Sequence, residues 1–478
     1  MTRSTALPDP TDLDGLRSRL ALDPDRRRRP IGLGSVRIGP QALDGLVADV
    51  AAVRVAGPVV VILDETPMRR SGQDLKAQVV AQLSNAFDTR VAVIRADGVE
   101  LHTDVPELAQ ADRAIEGAGC VVALGSGTIT DIAKDATMRA GHLPFVVVQT
   151  AVSVNAFSDD MAVLLRDGVK RTVPSRWPDA LIIDLGVIGD APAAMNRAGF
   201  GELCSMFTAP ADWYLATAIG MDDGYDQVVV DVFRDGAEAL LAGAERVRTN
   251  DPAILAELAS RMTLTGIAMG VAGRTAPLSG TEHLLSHLLD MAAGATGRPL
   301  AFHGAQVGVA CVLAATVWHD TLDHLDPDVL TTDAAFPTAA TVERRVRAAF
   351  DPIDPSGRMA AECWRDVEAK LERWTSRRDR VAAFATAWDR HRAVLRDLVA
   401  TPDILRDALR RAGAAAEIAE LEPPAPPETT RWALRALPLM RDRFTVADLR
   451  LFAGDWEEPA VEALLARSGI LGRAESTR

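Results

Sequence analysis

The chain has 478 residues, 48% of them hydrophobic and 25% charged; this length exceeds a single hydrophobic core and indicates at least two domains in a soluble protein. A net charge of −14 at pH 7 argues against binding to nucleic acid or to an acidic membrane, and we see no apolar run of membrane-spanning length. The four cysteines lie far apart without a C-x-x-C pair, which predicts a reducing, cytoplasmic compartment and argues against a thiolate metal site.

The first 30 residues lack the apolar core of a secretory signal, and four consecutive arginines at 26–29 predict a solvated leader. After this leader, apolar β-type runs alternate with helical periodicity up to about residue 190. The predicted strands are residues 58–63, 90–94, 121–124, 145–148 and 181–184, and the predicted helices among them are residues 73–87, 105–117 and 131–140. This alternation predicts βαβ crossovers and therefore an N-terminal α/β domain with a parallel sheet.

The segment from Cys120 to Lys134 passes from an apolar strand through a Gly-Ser-Gly turn into a helix. Gly125 and Gly127 have no Cβ, so backbone N–H groups can approach a ligand, and the N-terminus of the following helix attracts anions. The turn therefore predicts a cradle for a pyrophosphate; the alternative is a tight turn that binds nothing. The chain has only four lysines, and the position of Lys134 after this turn favours a role for its ammonium at the site.

Asp64, the glycine turn and Thr150 each follow a predicted strand. Ligands of parallel sheets bind beyond the carboxyl ends of the strands, so we expect these residues to converge on one crevice. The Asp64 carboxylate is suited to accept hydrogen bonds from a ribose diol, and the alternative is that it caps a turn or a helix.

From about residue 191 the periodicity is helical and no strand is predicted, so we expect an all-helical second half. Its clearest predicted helices are residues 227–248, 252–272, 282–292, 305–318, 359–374 and 380–399. A proline cluster at 422–427 predicts an extended connector. The predicted organisation is a leader (1–30), an α/β dinucleotide-binding domain (31–190), a helical metal and substrate domain (191–421), and a proline linker with a small helical tail (422–478).

Three histidines in the helical half suggest a metal centre. His283 and His287 are four residues apart on one predicted helix, and His303 stands at the start of another. We nominate Glu202 as a carboxylate ligand beside two imidazoles. This ligand set suits zinc first and nickel second, and it leaves one coordination position open for substrate. A metal beside a nicotinamide would polarise an alcohol or carbonyl oxygen, which favours a dehydrogenase; the alternative is that the histidines cap helices.

Taken together, these motifs resemble the sn-glycerol-1-phosphate dehydrogenases of the iron-containing alcohol dehydrogenase and dehydroquinate synthase-like superfamily. The resemblance extends over about residues 59–471. It rests on residues 125–134, 150–153, 198–202, 211–213, 279–287 and 303–306, while residues 362–366 and 441–445 resemble the longer bacterial branch.

The resemblance implies a dehydroquinate synthase-like fold, a homo-oligomer and the metal-dependent reduction of dihydroxyacetone phosphate, a small-molecule substrate, by NADH or NADPH. It implies that Glu202, His283 and His303 hold the metal, with His287 and Asn155 on the substrate side. The residues implied to hold the dinucleotide are Asp64, Gly125, Ser126, Gly127, Thr128, Ile129, Asp131, Lys134, Thr150, Ala151, Val152, Ser153 and Asp159.

Three positions depart from the family pattern: Glu202 replaces an Asp, Asn155 replaces a substrate-contacting Asp, and Asp159 replaces a Ser near the nicotinamide. Asn155 and Asp159 favour a related dehydrogenase that acts on another polyol or pathway intermediate. Glu202 favours a non-catalytic binding protein whose metal site has decayed. A synthase of the dehydroquinate type, which uses NAD transiently, is a third alternative.

Overall fold

The computed structural model describes residues 7–96, 101–166 and 169–472, so residues 1–6 of the predicted leader and 473–478 of the predicted tail lie outside it. The chain forms two compact units. The first comprises Met1–Arg166, Lys170–Phe200 and Val228–Arg274, and the second comprises Asp167–Val169, Gly201–Gln227 and Thr275–Arg478. The domain boundaries at residues 30, 190 and 421 stay predictions.

The first unit contains every strand of the central sheet. In chain order the strands are β1 Ser35–Gly39, β2 Val59–Leu63, β3 Arg69–Arg70, β4 Gln73–Asp74, β5 Thr89–Val93, β6 Cys120–Gly125, β7 Phe145–Gln149, β8 Met161–Arg166, β9 Val169–Pro174 and β10 Ala180–Asp184. Six of them form a parallel sheet in the order β1-β10-β7-β6-β2-β5, while β3 and β4 form one small pair and β8 and β9 another. The predicted parallel sheet is confirmed.

Burial explains why these strands were recognisable. Every residue of β2, β6, β7 and β10 is buried, as expected for strands covered on both faces of a parallel sheet. The five predicted strands are confirmed to within one residue at each end. The prediction missed β1 at the sheet edge, the short pair β3 and β4, and the pair β8 and β9.

Up to residue 274 the helices are α1 Leu13–Leu20, α2 Leu46–Val53, α3 Leu75–Ser84, α4 Val105–Ala114, α5 Gly127–Arg139, α6 Leu185–Asp190, α7 Ala193–Leu203, α8 Ala209–Ile219, α9 Gln227–Arg234, α10 Ala237–Ala242, α11 Glu245–Arg248 and α12 Pro252–Ala272. The predicted helix 227–248 is thus three short helices. The chain breaks at Gly236, which has a left-handed φ of 66° before α10, and again at Gly243.

The prediction of a solvated leader is wrong for residues 13–20. Asp12 caps α1 by accepting a hydrogen bond from Gly15 N, and the helix buries Leu13, Leu16 and Leu20. A capping residue before leucines at helical spacing was the sequence signal for this helix.

One helix among the described residues, α12, is long and apolar enough to cross a membrane by length and composition, which corrects the expectation that no such run exists. However, 83% of its apolar window is buried inside the protein, as in the core helix of a globular unit.

The second half is helical, as predicted: no strand follows β10 among the described residues. The remaining α-helices are α13 Thr281–Ala295, α14 His303–His324, α15 Ala339–Phe350, α16 Arg358–Ser376, α17 Arg378–Thr386, α18 Trp388–Leu398, α19 Pro402–Ala412, α20 Pro427–Ala436, α21 Val446–Phe452 and α22 Glu458–Ser468. The predicted helix 380–399 is divided at Ala387 into α17 and α18.

Candidate functional site

The central sheet has its topological switch point between β2 and β6. The chain leaves β2 through α3 toward β5 on one side, and leaves β6 through α5 toward β7 on the other. The β2–β6 register pairs Val59 with Cys120 and ends with Ile62 opposite Ala123, so Asp64 and Gly125 each stand two residues beyond the last pair. Ligands of open α/β sheets bind at such a point, so this sheet has the strand order that the predicted nucleotide crevice requires.

The glycine turn leaves the N-terminus of α5 available to an anion. Ser126 is the N-cap residue and makes no side-chain capping bond, so the first N–H groups of the helix have no side-chain acceptor there. Ser126, Gly127 and Thr128 are partly exposed, whereas Gly125 and Ile129 are buried. These residues fit a bound phosphate group.

Each glycine of the turn also has a packing role. A Cβ on Gly125 would lie 2.8 Å from Ile129 Cβ, and a Cβ on Gly127 would lie 2.8 Å from Val154 Cγ2. Gly125 is therefore required for close contact within the turn even without a ligand, while Gly127 lies against the segment that follows β7.

Asp64 is already hydrogen-bonded at the end of β2. Lys76 Nζ donates to its backbone oxygen at 2.6 Å and to Oδ1 at 3.0 Å, and Thr66 donates to it from the backbone N at 3.1 Å and from Oγ1 at 2.9 Å. The Lys76 ammonium thus offsets the Asp64 charge at this strand end.

The predicted nucleotide segment after β7 is held against α7. Thr150, Ala151, Val152 and Ser153 are buried, and a Cβ on Gly199 of α7 would overlap Val152 O. Gly199 is therefore a close-packing position that lets the helix backbone approach this segment.

Lys134 has a structural role that the sequence did not reveal. Its fully buried ammonium donates to Ala156 O at 2.6 Å, to Asp159 Oδ1 at 2.6 Å and to Met161 O at 2.7 Å. An ammonium has three donors, so none remains for a pyrophosphate. Lys134 instead fastens residues 156–161 to α5, which corrects its assignment as a direct cofactor contact.

Two carboxylates share this ammonium. Asp131 Oδ1 lies 4.0 Å from Lys134 Nζ without a hydrogen-bond partner, and Asp131 Oδ2 accepts from Val163 N. Burial raises the pKa of Asp131 to about 7, although Lys134 opposes the rise, and burial raises the pKa of Asp159 as well. Asp159 stands where the family pattern has a Ser, and the Lys134 ammonium in the same unit compensates the negative charge that it adds.

The second unit brings the three predicted metal ligands together. His283 Nε2 lies 3.2 Å from Glu202 Oε1, and His303 Nε2 lies 3.8 Å from Glu202 Oε2. One ligand atom from each residue lies within 4.8 Å of the others. Glu202 Oε2 is buried without a hydrogen-bond partner, which is unfavourable for a carboxylate unless a cation or water completes it. This donor set fits a divalent metal.

Two close helix contacts create this arrangement. A Cβ on Gly201 would overlap Gly304 O and approach Gly308, so α7 crosses α14 at glycines. The crossing sets Glu202, the next residue on α7, beside His303 at the start of α14. The glycines of the Gly199-Phe-Gly-Glu202 motif are therefore explained by helix packing.

His283 lies between two carboxylates. Its Nδ1 is 3.0 Å from Glu282 Oε1, and Glu282 also accepts from Gly280 N at 2.6 Å and Thr208 Oγ1 at 2.9 Å. Burial lowers the pKa of His283, but Glu202 and Glu282 outweigh it and raise that pKa to about 9. Conversely, burial raises the pKa of Glu202, and the two histidines outweigh it so that this pKa is lowered. Sequence reasoning missed Glu282, although it directly precedes His283.

The remaining predicted site residues lie as follows. His287 is partly buried, and its ring stacks on that of His303 with centroids 5.7 Å apart. Asn155 belongs to the first unit, is partly buried, and accepts a hydrogen bond at its backbone oxygen from Ser158 N.

Comparison with known proteins identifies relatives. A family model described as iron-containing alcohol dehydrogenase matches residues 37–192. The glycerol-1-phosphate dehydrogenase (NAD(P)+) of Halorubrum lacusprofundi is 31% identical over 281 residues, which cover 58% of this chain and 75% of that protein. The protein of the same name from Halalkalibacterium halodurans is 31% identical over 245 residues, covering 50% of this chain but 61% of that protein, which is less than two thirds of its length.

Among solved structures, the glycerol dehydrogenase of Schizosaccharomyces pombe matches 91% of this chain and 92% of its own, with a TM-score of 0.53 and 13% sequence identity. At this identity the similarity concerns the fold alone.

Proposed function

Because this chain belongs to the glycerol-1-phosphate dehydrogenase family of the iron-containing alcohol dehydrogenases, we propose that it is a metal-dependent, NAD(P)-linked dehydrogenase. It interconverts a phosphorylated polyol and its ketone, for which glycerol 1-phosphate and dihydroxyacetone phosphate are the first choice. The observation that carries this proposal is the cluster formed by the buried Glu202 and His283 with the partly buried His303.

The cluster supplies one anionic oxygen and two imidazole nitrogens to a divalent metal, zinc first and nickel second. When bound, the metal supplies a Lewis acid for the oxygen of the reacting alcohol or ketone. Glu202 reaches both histidines with its own two oxygens, so the longer side chain at this position still presents a ligand. This supports an intact site over a decayed one.

The glycine turn and the uncapped start of α5 hold the pyrophosphate of the dinucleotide. Asp64 holds the neighbouring ribose; this is supported by its position after β2, which with β6 flanks the switch point of the sheet. A lone carboxylate there would repel the 2′-phosphate of NADP. Since Lys76 is bound to Asp64, that repulsion is offset, and we propose that both NAD and NADP are accepted.

Asn155 favours a second candidate, a related dehydrogenase for another polyol. It removes the negative charge that the family pattern has at a substrate position, while Asp159 is already neutralised by Lys134 and gives no comparable argument. For either substrate we propose a homo-oligomer, on the family resemblance alone, and a cytoplasmic location, on the four dispersed cysteines without a C-x-x-C pair.

The test is the oxidation of NADH or NADPH by zinc-loaded protein, followed at the nicotinamide absorbance band. The substrates are dihydroxyacetone phosphate, unphosphorylated dihydroxyacetone and a panel of other keto-phosphates. Rapid oxidation with dihydroxyacetone phosphate alone supports the first proposal, and a preference for another ketone supports the second. Product formation without net oxidation of the cofactor would indicate synthase chemistry, and no turnover with any ketone would refute a dehydrogenase.

A further inference from the structure

His303 is hydrogen-bonded through its second ring nitrogen to a buried chain of three side chains. His303 Nδ1 lies 2.9 Å from Ser286 Oγ, Ser286 Oγ lies 2.6 Å from Gln306 Oε1, and Gln306 Nε2 lies 3.1 Å from Asp290 Oδ1. Ser286 is fully buried, and Gln306 and Asp290 are 5% and 6% exposed.

Helical spacing builds this chain from the two histidine helices. Ser286 and Asp290 are four residues apart on α13, which also carries His283, and Gln306 is three residues after His303 on α14. Residues at these spacings share a helix face, so the chain runs along the contact between α13 and α14.

The chemistry of the groups gives the chain one direction. An ionised Asp290 only accepts, so the Gln306 amide must turn its NH₂ toward it and its oxygen toward Ser286. That oxygen can only accept, so the Ser286 hydroxyl must donate its single proton in the hydrogen bond to Gln306 Oε1. Ser286 Oγ then faces His303 Nδ1 as an acceptor, which requires the proton of the neutral imidazole to sit on Nδ1. Nε2, the nitrogen nearer Glu202, then carries the lone pair with which an imidazole binds a metal.

We propose that Asp290, Gln306 and Ser286 are positioning residues that fix His303 in the tautomer required of a metal ligand. This inference rests on the proposed function, because it takes His303 as a ligand. Glu282 stands in the same relation to His283, since its carboxylate faces Nδ1 of that ring. Hydrogen-bonded partners of this kind set both the orientation and the protonation of ligating histidines.

The sharpest perturbation is Asp290→Asn, which keeps the shape of the side chain and lies two side chains away from His303. An amide at 290 can donate, so the whole chain can reverse: Gln306 turns over, Ser286 donates to Nδ1, and the proton of His303 moves to Nε2. Ser286→Ala is the second variant, because it removes the acceptor for Nδ1–H directly. Asp212→Asn is the matched control: Asp212 is a buried aspartate that accepts from Thr281 N at the start of α13 and from Val446 N at the start of α21, and it is not part of the series Asp290, Gln306 and Ser286.

Two measurements are made on each folded protein. The first is the zinc dissociation constant, by competition with a chromophoric chelator. The second is the ¹⁵N spectrum of the His303 ring in metal-free protein, recorded over a pH series up to the point where the spectrum shows a neutral ring, because the Glu202 carboxylate lies 3.8 Å from Nε2. Wild type and Asp212→Asn are expected to show a protonated Nδ1 and a bare Nε2. Asp290→Asn is expected to add the Nε2–H tautomer, and both chain variants are expected to bind zinc about 10- to 100-fold more weakly.

Failure of this inference is distinguishable from failure of the proposed function. If wild type binds zinc, but both chain variants bind it equally well and keep the wild-type tautomer, the chain has no positioning role. If folded wild type binds no zinc, the proposed metal function fails, while the ¹⁵N spectra still report whether the chain sets the tautomer.

Discussion

Replacement of Lys134 by Met tests whether this lysine is structural. Its ammonium lies 2.6 Å from Asp159 Oδ1, and the two side chains are 0% and 6% exposed. Removing one partner of a buried ion pair leaves the other charge uncompensated, which costs about 3–5 kcal/mol. The substitution also removes the hydrogen-bond donor to Ala156 O and Met161 O. We therefore expect the free energy of unfolding to fall by about 3–5 kcal/mol at pH values above 7.

The loss is expected to shrink in acid. Burial already raises the pKa of Asp159, and without the ammonium that pKa rises further. When a carboxyl has a higher pKa in the folded protein than in the unfolded one, the folded protein loses stability as pH rises above the unfolded pKa. Below the unfolded pKa the carboxyl is protonated in both states and causes no loss. The double variant Lys134→Met/Asp159→Leu removes both charges of this pair and should recover part of the loss, because apolar replacement of a whole buried pair is often neutral. The rest persists, since Ala156 O and Met161 O still lack their donor and Asp131 still lacks the neighbouring ammonium.

Trp177 permits a unit-specific assay, since it is the sole tryptophan of the first unit. Urea unfolding of 5-fluorotryptophan-labelled protein, followed by ¹⁹F NMR, gives the midpoint for that unit. Lys76→Met is the control: Lys76 also pairs with an aspartate, but at a strand end where Asp64 keeps its bonds from Thr66, so we expect a loss of about 1 kcal/mol. An unchanged midpoint for Lys134→Met, or a double variant no more stable than the single one, would refute the structural role.

Three further predictions concern the first unit. Gly127→Val should weaken NADH binding in calorimetric titration by about 10- to 100-fold, which corresponds to the loss of one charge-assisted hydrogen bond. It should also lower the stability of the protein, because a Cβ at this position already meets Val154. Gly189→Val is the control, at a position with open space around it, and equal NADH affinity in both variants would exclude the cradle. Lys76→Met should lower the affinity for NADPH by about tenfold relative to NADH, since the ammonium no longer offsets Asp64, and an unchanged ratio of dissociation constants would exclude this role. Burial raises the pKa of Asp131 to about 7, so its ionisation lowers the free energy of unfolding of the wild type by at most about 4 kcal/mol between pH 4 and pH 7. Asp131→Asn should therefore lose less stability than the wild type over this range. An equal loss of unfolding free energy in both proteins would contradict the raised pKa.

The fold was predictable where burial made the sequence uniform. The apolar runs of β2, β6, β7 and β10 announce strands covered on both faces. The hairpin strands β8 and β9 carry mixed side chains, and their pairing is a tertiary fact that no single segment displays. Helix α1 was missed because its capping residue stands in a polar, proline-containing segment that resembles a leader.

The candidate site was predictable in part. Helical spacing suggested a metal near His283 and His287, and Glu202 was nominated as its carboxylate ligand. The approach of Glu202 to His303 was not visible in the sequence, because it depends on a glycine crossing between distant helices. Lys134 was misassigned because it follows the glycine turn in sequence, while its partners lie 22–27 residues further along the chain. Asp290 was invisible for a similar reason, since only the packing of α13 on α14 connects it to His303.

The proposed dehydrogenase requires one divalent metal bound by Glu202, His283 and His303. Elemental analysis after zinc loading and extensive dialysis tests it most directly, in wild type and His303→Ala, with calorimetric NADH titration to show that both proteins are folded. Wild type is expected to retain a single zinc ion per chain, and His303→Ala is expected to lose both the zinc and the turnover while still binding NADH, since the metal acts on the substrate oxygen rather than on the dinucleotide. A folded wild type that binds NADH without retaining zinc or nickel, or a His303→Ala variant that keeps the full metal content, would rule out this metal site.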